Sequence, residues 1–245
     1  MSGTEAAPPR ATPATGSFLA LLDPGDRLAL EEAGVRRLVR RGEMIVREGE
    51  PSTSVVALLD GVAKVTKVAT DGREALIELR GPGELLGELG AVDGAPRSAS
   101  VTALTTISLL VIPAAAFRRL LADRAGVANA VLAVVVARVR RAGERQLEQT
   151  ASSTTARVSG RLAELAESFG RPRSEPRPGG RPEASRVIEV DSPISQQELA
   201  DWVGASRDAV VRALTELRGD GVVETSRQRF TVLDPDRLRA RSAGA

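Results

Sequence analysis

Arginine, hydroxyl and carboxylate side chains converge in one glycine-rich stretch, Gly81–Ala103, GPGELLGELGAVDGAPRSASVTA. Gly81, Gly83 and Gly87 permit tight turns and let a ligand come close to the backbone. Glu88 opens a short helical turn, whose free N–H groups and local dipole favour an anion. After the polar turn Asp93-Gly94-Ala95-Pro96, Arg97 and Ser98 begin an alternating run. An arginine fork with a hydroxyl suits a phosphate, and Glu88 can accept hydrogen bonds from sugar hydroxyls. On spacing alone the same glycines also read as plain β-turns. A dinucleotide fingerprint fits less well, because the spacing is G-x-G-x-x-x-G and no long crossover helix follows.

A second chemistry lies near the C-terminus. Ser195-Gln196-Gln197-Glu198 is a capping box that starts a helix over Gln196–Val203, and Gly204 ends it. Ser206 caps another helix that runs to about Leu217. Two capped helices joined by a short glycine-containing connection form a helix-turn-helix. Arg207, Asp208, Val211 and Arg212 share the solvent side of the second helix, while Ala209, Val210, Ala213, Leu214 and Leu217 face inward. Arg207 and Arg212 can each fork onto guanine O6 and N7, and Asp208 can accept from a cytosine amine. The alternative is a plain solvated helix face. Val222–Glu224 and Phe230–Leu233, around Ser226-Arg227-Gln228-Arg229, read as a two-stranded wing. Trp202 reads as core.

These two motifs, in this order, resemble the cyclic-AMP receptor protein/FNR superfamily. GELG…RSA is similar to its phosphate-binding cassette, and Ser206-Arg207-Asp208…Arg212 to its reading helix. The resemblance spans about Phe18–Leu238. It implies that Glu88 contacts a ribose and that Arg97 and Ser98 contact a cyclic phosphate, with Gly87 and Leu89 completing the cassette. It also implies DNA contacts from Ser195, Ser206, Arg207, Asp208, Arg212 and Arg227. Asp208 stands where the family usually has Glu, one methylene shorter, which leaves the middle base preference open. The family's adenine-reading pair falls on Ala142 and Gly143, and neither side chain can make that contact. Arg141, Glu144 or Arg145 could do so only if the register slips. The effector implied is a cyclic nucleotide, cyclic AMP first and cyclic GMP second. The partners implied are double-stranded DNA with a two-fold symmetric operator, a second copy of the chain and RNA polymerase.

Composition narrows the alternatives. The 245 residues suffice for two modest domains with their own cores. Net charge is only +2, so no global basic field advertises nucleic acid. Lys64 and Lys67 are the only lysines, a bias that a GC-rich genome explains as well as phosphate binding does. With no Cys and no His, disulfides, the usual zinc, haem and iron–sulfur ligation, and Ser-His or Cys-His catalysis are excluded. A nucleotide hydrolase would need an activated water or nucleophile, and no clustered carboxylates offer a metal site. The sequence therefore predicts a non-enzyme. No apolar run is long enough for a membrane span and no signal peptide is evident, so the expected location is the cytoplasm.

The remaining elements must position the two motifs. Residues 1–16 are Ala/Pro/Thr-rich and expected to be a disordered tail. Phe18–Val39 has apolar residues at helical spacing, interrupted by Pro24-Gly25, and reads as two short helices. From Gly42 the period falls to two: Glu43–Arg47, Val55–Leu59, Val62–Val68 and Glu74–Leu79, separated by Gly49-Glu50-Pro51, Asp60-Gly61 and Asp71-Gly72 turns. Val101–Ile112 supplies closing strands of a barrel, in whose mouth a ligand can sit. Pro113–Leu121 is helical. A long helix then runs from about Ala125 through Arg157, with Leu132, Val135, Val139, Ala142 and Gln146 as a seam for a partner helix. Arg157–Phe169 continues as a second helical pattern. Arg171–Ser185 is a Pro/Gly/Arg loop, and Val187–Val190 a short strand.

The expected fold class is α+β: an N-terminal β-roll resembling a jelly-roll barrel, a long dimerisation helix and a C-terminal winged helix-turn-helix. The expected divisions are tail 1–16, β-roll 17–122, dimerisation helix 123–157 and DNA-binding domain 158–245.

Overall fold

The computed structural model describes residues 16–69, 72, 74–173, 187–191, 194–226 and 229–242. Tail residues 1–15, Asp71, Arg227 and 174–186 of the Arg-rich loop lie outside the described residues. The chain divides into two compact units, Met1–Val68 with Glu78–Val136, and Ala69–Ile77 with Ala137–Ala245.

The first unit begins with α1 (Phe18–Leu21) and α2 (Pro24–Glu32). The Asp23 carboxylate caps α2 by accepting from the Asp26 N–H at 2.7 Å, and Pro24 sits in the first turn, where its missing N–H costs nothing. The helical reading of Phe18–Val39 fails past Ala33. Val35–Val39 is a strand, β1, paired antiparallel with Ile107–Val111. A helix there would have buried a stripe containing Val35 and Leu38. Both are instead mostly exposed (72% and 67%), only Val39 is buried, and the β-branched valines suit a pleated ladder.

The strands that follow are β2 (Met44–Val46), β3 (Ser54–Asp60), β4 (Ala63–Val68), β5 (Glu74–Arg80) and β6 (Leu85–Leu86). Helix α3 (Glu88–Asp93), strands β7 (Ser100–Ala103) and β8 (Ile107–Pro113), and helices α4 (Ala114–Asp123) and α5 (Ala125–Ala151) complete the run. Two four-stranded sheets result, ordered β1-β8-β3-β6 and β2-β7-β4-β5. The unbroken apolar run in β3 has a simple cause. Val56 and Leu58 point between the sheets, onto Ala63, Leu86, Val101 and Leu109. Val55 and Ala57 point the other way, into a layer formed by Phe18, Leu30, Phe117, Val127 and Val131 of the helices. A strand covered on both faces needs apolar residues at every position.

The second unit holds the rest of α5, then α6 (Thr154–Phe169), β9 (Arg171–Pro172), β10 (Ile188–Asp191), α7 (Gln196–Val203) and α8 (Arg207–Gly219). Strands β11 (Val223–Ser226) and β12 (Arg229–Val232) and helix α9 (Pro235–Ser242) close the unit. Its sheet order is β11-β12-β10-β9, so the wing is the edge of a four-stranded sheet. The single helix expected through Arg157 ends at Ala151. Ser153 leaves the helical region, and its hydroxyl accepts from the Ala156 N–H at 3.1 Å, starting α6 anew. A serine that can bond the next turn's backbone competes with helix continuation.

Arginines tie the second unit together. Arg157 donates through Nε to the Val203 carbonyl (2.9 Å) and through Nη1 to the Ser152 carbonyl (2.6 Å). Arg161 lies 5.4 Å from the Trp202 ring centroid and bonds Glu164 at 2.6 Å and Glu148 at 2.8 Å. Trp202 is core, as the sequence predicts, 6% exposed, with its Nε1 lacking a hydrogen-bond partner among the described residues. Arg161→Ala removes the cation over the ring and both ion pairs, an expected loss of about 1–3 kcal/mol. Thermal melting followed by circular dichroism should show a fall of about 2–4 °C per kcal/mol, with Arg161→Lys intermediate because the fork is lost but the charge kept.

Candidate functional site

The site in the first unit is built from β3, the β6–α3 junction and the strand entry at Arg97. Gly87 adopts a left-handed φ of 76° and precedes α3 as its cap. The Arg97 backbone is held by the turn before β3: its N–H donates to the Glu50 carbonyl at 2.8 Å, and its carbonyl accepts from the Gly49 N–H at 2.9 Å. From there the side chain reaches inward. Nη2 donates to the Ser54 carbonyl (2.7 Å) and to the Ser54 hydroxyl (3.1 Å), and Nη1 donates to the Gly87 carbonyl (3.2 Å). A Cβ on residue 87 would lie 1.8 Å from Nη1, so the seat exists only because glycine stands there.

Arg97 is 6% exposed and Glu88 3%. Burial pushes the Arg97 guanidinium below its ordinary value, and the charges of Glu88 and then Glu50 oppose that shift. The guanidinium nonetheless remains protonated near neutral pH. The result is a fixed cation beside a buried carboxylate at the start of a helical turn, an arrangement able to hold a phosphate next to a hydroxylated sugar.

Of the five cassette residues named from sequence, Glu88 and Arg97 are buried together and the partly buried Gly87 stands against Arg97. Leu89 (49% exposed) and Ser98 lie at the surface. Ser54 and Glu50 were missed. Nothing in their types marks them, because their roles arise from β3 and its preceding turn passing behind Arg97. Ala142 and Gly143 are exposed on α5 and offer no polar side-chain group. Arg145 bonds the Ile77 carbonyl (3.3 Å) and Glu164 (3.0 Å), so its fork is engaged within the second unit.

In the second unit the capping box is complete. The Ser195 hydroxyl accepts from the Glu198 N–H at 3.2 Å, and Glu198 accepts from the Ser195 N–H at 2.9 Å. Gly204 is left-handed at φ 64° and turns the chain toward α8. The Ser206 hydroxyl caps α8 by accepting from the Ala209 N–H at 3.2 Å. Arg207, Asp208 and Arg212 are exposed, while Val210, Ala213, Leu214 and Leu217 are buried. Arg229, at the wing, is ion-paired to Asp191 at 2.9 Å. A helix anchored by its apolar face, with two arginines and a carboxylate along the other, can enter a major groove and meet base edges.

Arg207→Ala is expected to weaken binding to the preferred DNA site by about 1–3 kcal/mol and to relax sequence preference. Gel-shift titrations on preferred and scrambled duplexes check this, since equal weakening on both would mark a phosphate contact instead.

A β-roll followed by a winged helix-turn-helix defines a two-part transcription regulator, and similarity to known proteins agrees. The cyclic nucleotide-binding domain family matches residues 36–124, and the Crp-like helix-turn-helix domain family matches residues 156–241. A CRP-like cAMP-activated global transcriptional regulator from Mycobacterium tuberculosis is 30% identical over 202 residues, 82% of this chain and 85% of that one. The global nitrogen regulator of Synechococcus elongatus is 27% identical over 198 residues, 80% of this chain and 84% of that one. Among solved structures, FixK2 from Bradyrhizobium japonicum has the same fold, with a TM-score of 0.71 at 20% identity, covering 86% of this chain and 98% of that one. The chain belongs to the CRP/FNR superfamily of DNA-binding transcription regulators and carries a cyclic nucleotide-binding domain. Among the described residues no single helix is long and apolar enough to cross a membrane.

Proposed function

We propose that the protein is a homodimeric, sequence-specific transcription regulator whose DNA affinity is set by a cyclic nucleotide, cyclic AMP before cyclic GMP, in the β-roll. The observation that carries this reading is the buried Arg97 seat, with its fork braced on Ser54 and Gly87 and with Glu88 beside it. In this reading Arg97, with Ser98, takes the cyclic phosphate, Glu88 takes the ribose hydroxyl, and Gly87 and Leu89 shape the turn between them. Ser195, Ser206, Arg207, Asp208, Arg212 and Arg227 meet the DNA.

Dimerisation is supported by α5, where Leu132 (60% exposed), Val136 (40%) and Val139 (66%) form an apolar stripe at helical spacing. This stripe differs from the seam read in the sequence, because Val135 is partly buried against the β-roll core and Val136 takes its place. Two copies joined there would present their α8 helices to successive major grooves ~34 Å apart. RNA polymerase is the expected downstream partner, and the cytoplasm the expected location.

A second reading is a constitutive DNA-binding regulator whose pocket is vestigial or serves another effector. It is favoured by Ala142 and Gly143, which give an adenine nothing to bond. Calorimetric titration with cyclic AMP and cyclic GMP separates the two. Saturable heat supports nucleotide control, and no heat with either supports the constitutive form.

A further inference from the structure

The second unit contains a cavity of about 380 Å³ bounded by α6, α7, α8 and the wing. Its floor is Leu162, Leu165, Leu199, Leu214 and Phe230, all at most 5% exposed. Its mouth carries Ser195, Gln197, Ser226, Arg207 and Arg229, and among the described residues no carboxylate lines it. The concavity is open to solvent, and its volume falls within the range of small-molecule pockets, about 300–1,000 Å³.

The lining has two distinct parts. The floor offers an apolar body van der Waals contact with leucine and phenylalanine side chains. The mouth rewards an anionic head, because the Arg207 and Arg229 guanidinium groups stand there with one net positive charge, Arg229 being fixed and partly offset by its ion pair with Asp191 at 2.9 Å. A phosphate of the DNA backbone would use the mouth but has no use for the floor. We propose that this cavity is a second ligand site, separate from the cassette, which takes a small amphipathic anion such as an aryl or medium-chain alkyl carboxylate. Occupancy blocks DNA, since Ser195 and Arg207 belong both to the mouth and to the DNA-contacting face. That last step rests on the DNA contacts proposed above, whereas the site itself does not.

The test uses the full-length protein with 13C-labelled leucine methyl groups, titrated with 1-naphthoate. Saturable shifts of the Leu165 and Leu214 methyls, with those of Leu85 and Leu109 in the β-roll unmoved, are the expected result. Absence of shifts at millimolar naphthoate, or shifts confined to the β-roll, would overturn the site. Inorganic phosphate moving the same methyls equally well would also overturn it, by showing a seat for DNA backbone alone. Arg229→Gln should weaken naphthoate about tenfold while leaving neutral 1-naphthalenemethanol unchanged, and equal naphthoate affinity in the variant contradicts the assigned head-group seat. With naphthoate at ten times its own Kd, the apparent Kd for DNA should rise about elevenfold. Shifted methyls with coincident DNA curves would keep the cavity and overturn the competition.

Discussion

Gly87→Ala should cost the protein its cyclic-nucleotide binding, whereas the same substitution at Gly94 should not. Both glycines have φ of 76°, so alanine meets the same left-handed strain at either position, about 1–2 kcal/mol. Their surroundings differ. A Cβ at residue 87 lies 1.8 Å from Arg97 Nη1, and at residue 94 it meets nothing within 4 Å. At residue 87 the guanidinium must leave its seat, forfeiting hydrogen bonds to Ser54 and Gly87 worth about 1.5–3 kcal/mol for a charged donor. The displaced fork no longer meets the phosphate, and losing a charge-assisted contact of the same size lowers nucleotide affinity by about 10- to 150-fold, at 1.4 kcal/mol per tenfold. Melting temperature should drop more for Gly87→Ala than for Gly94→Ala. Calorimetry on both variants checks this, and equal affinity in the two would mean that the Arg97 seat is not where the nucleotide is held.

The second large effect is expected from Leu132→Glu combined with Val136→Glu. Both side chains are exposed on α5, so the change does not reach the core formed by Val127, Val131 and Val134. It places four carboxylates across the proposed helix pair, where like charges repel and the apolar contact is lost. The wild-type protein should sediment as a dimer and the variant as a monomer with an unchanged circular dichroism spectrum. Binding to a two-fold DNA site should then weaken by about 10²–10⁴, because two linked readers become one. A variant that remains dimeric would place the interface elsewhere.

Periodicity and capping chemistry made much of this molecule readable in advance. The Glu88 helix start, the Ser195 capping box, the Gly204 turn and the inward Val210, Ala213, Leu214 and Leu217 of α8 all follow from local rules, and each stands as expected. The Asp60-Gly61 turn does not close a hairpin, because the β3 and β4 strands it joins lie in different sheets, and Asp71 of the next turn lies outside the described residues. The errors occurred where tertiary contacts overrule local pattern. Val35–Val39 has helical spacing but becomes a strand because β8 offers a ladder. The long helix stops at Ala151 because Ser153 begins another one and Arg157 fastens the joint. Val135 and Val136 are indistinguishable as residue types, and only the β-roll core decides which of them is left outside. In the cassette, the glycines, Glu88 and Arg97 were legible as motif. Ser54, which holds Arg97 from a position 43 residues earlier in the chain, was not, since a serine at a strand start carries no sequence signal for a long-range hydrogen bond. The cavity beneath Arg207 and Arg229 was invisible for a similar reason: its floor is a set of ordinary core leucines.

The most direct measurement is DNA binding by the purified protein, titrated on a duplex selected from random sequence, with and without saturating cyclic AMP or cyclic GMP. Coupling of about 1–3 kcal/mol would separate the curves by about 5- to 150-fold, and the account predicts such a separation with at least one of the two nucleotides. Superimposable curves with both nucleotides would contradict it.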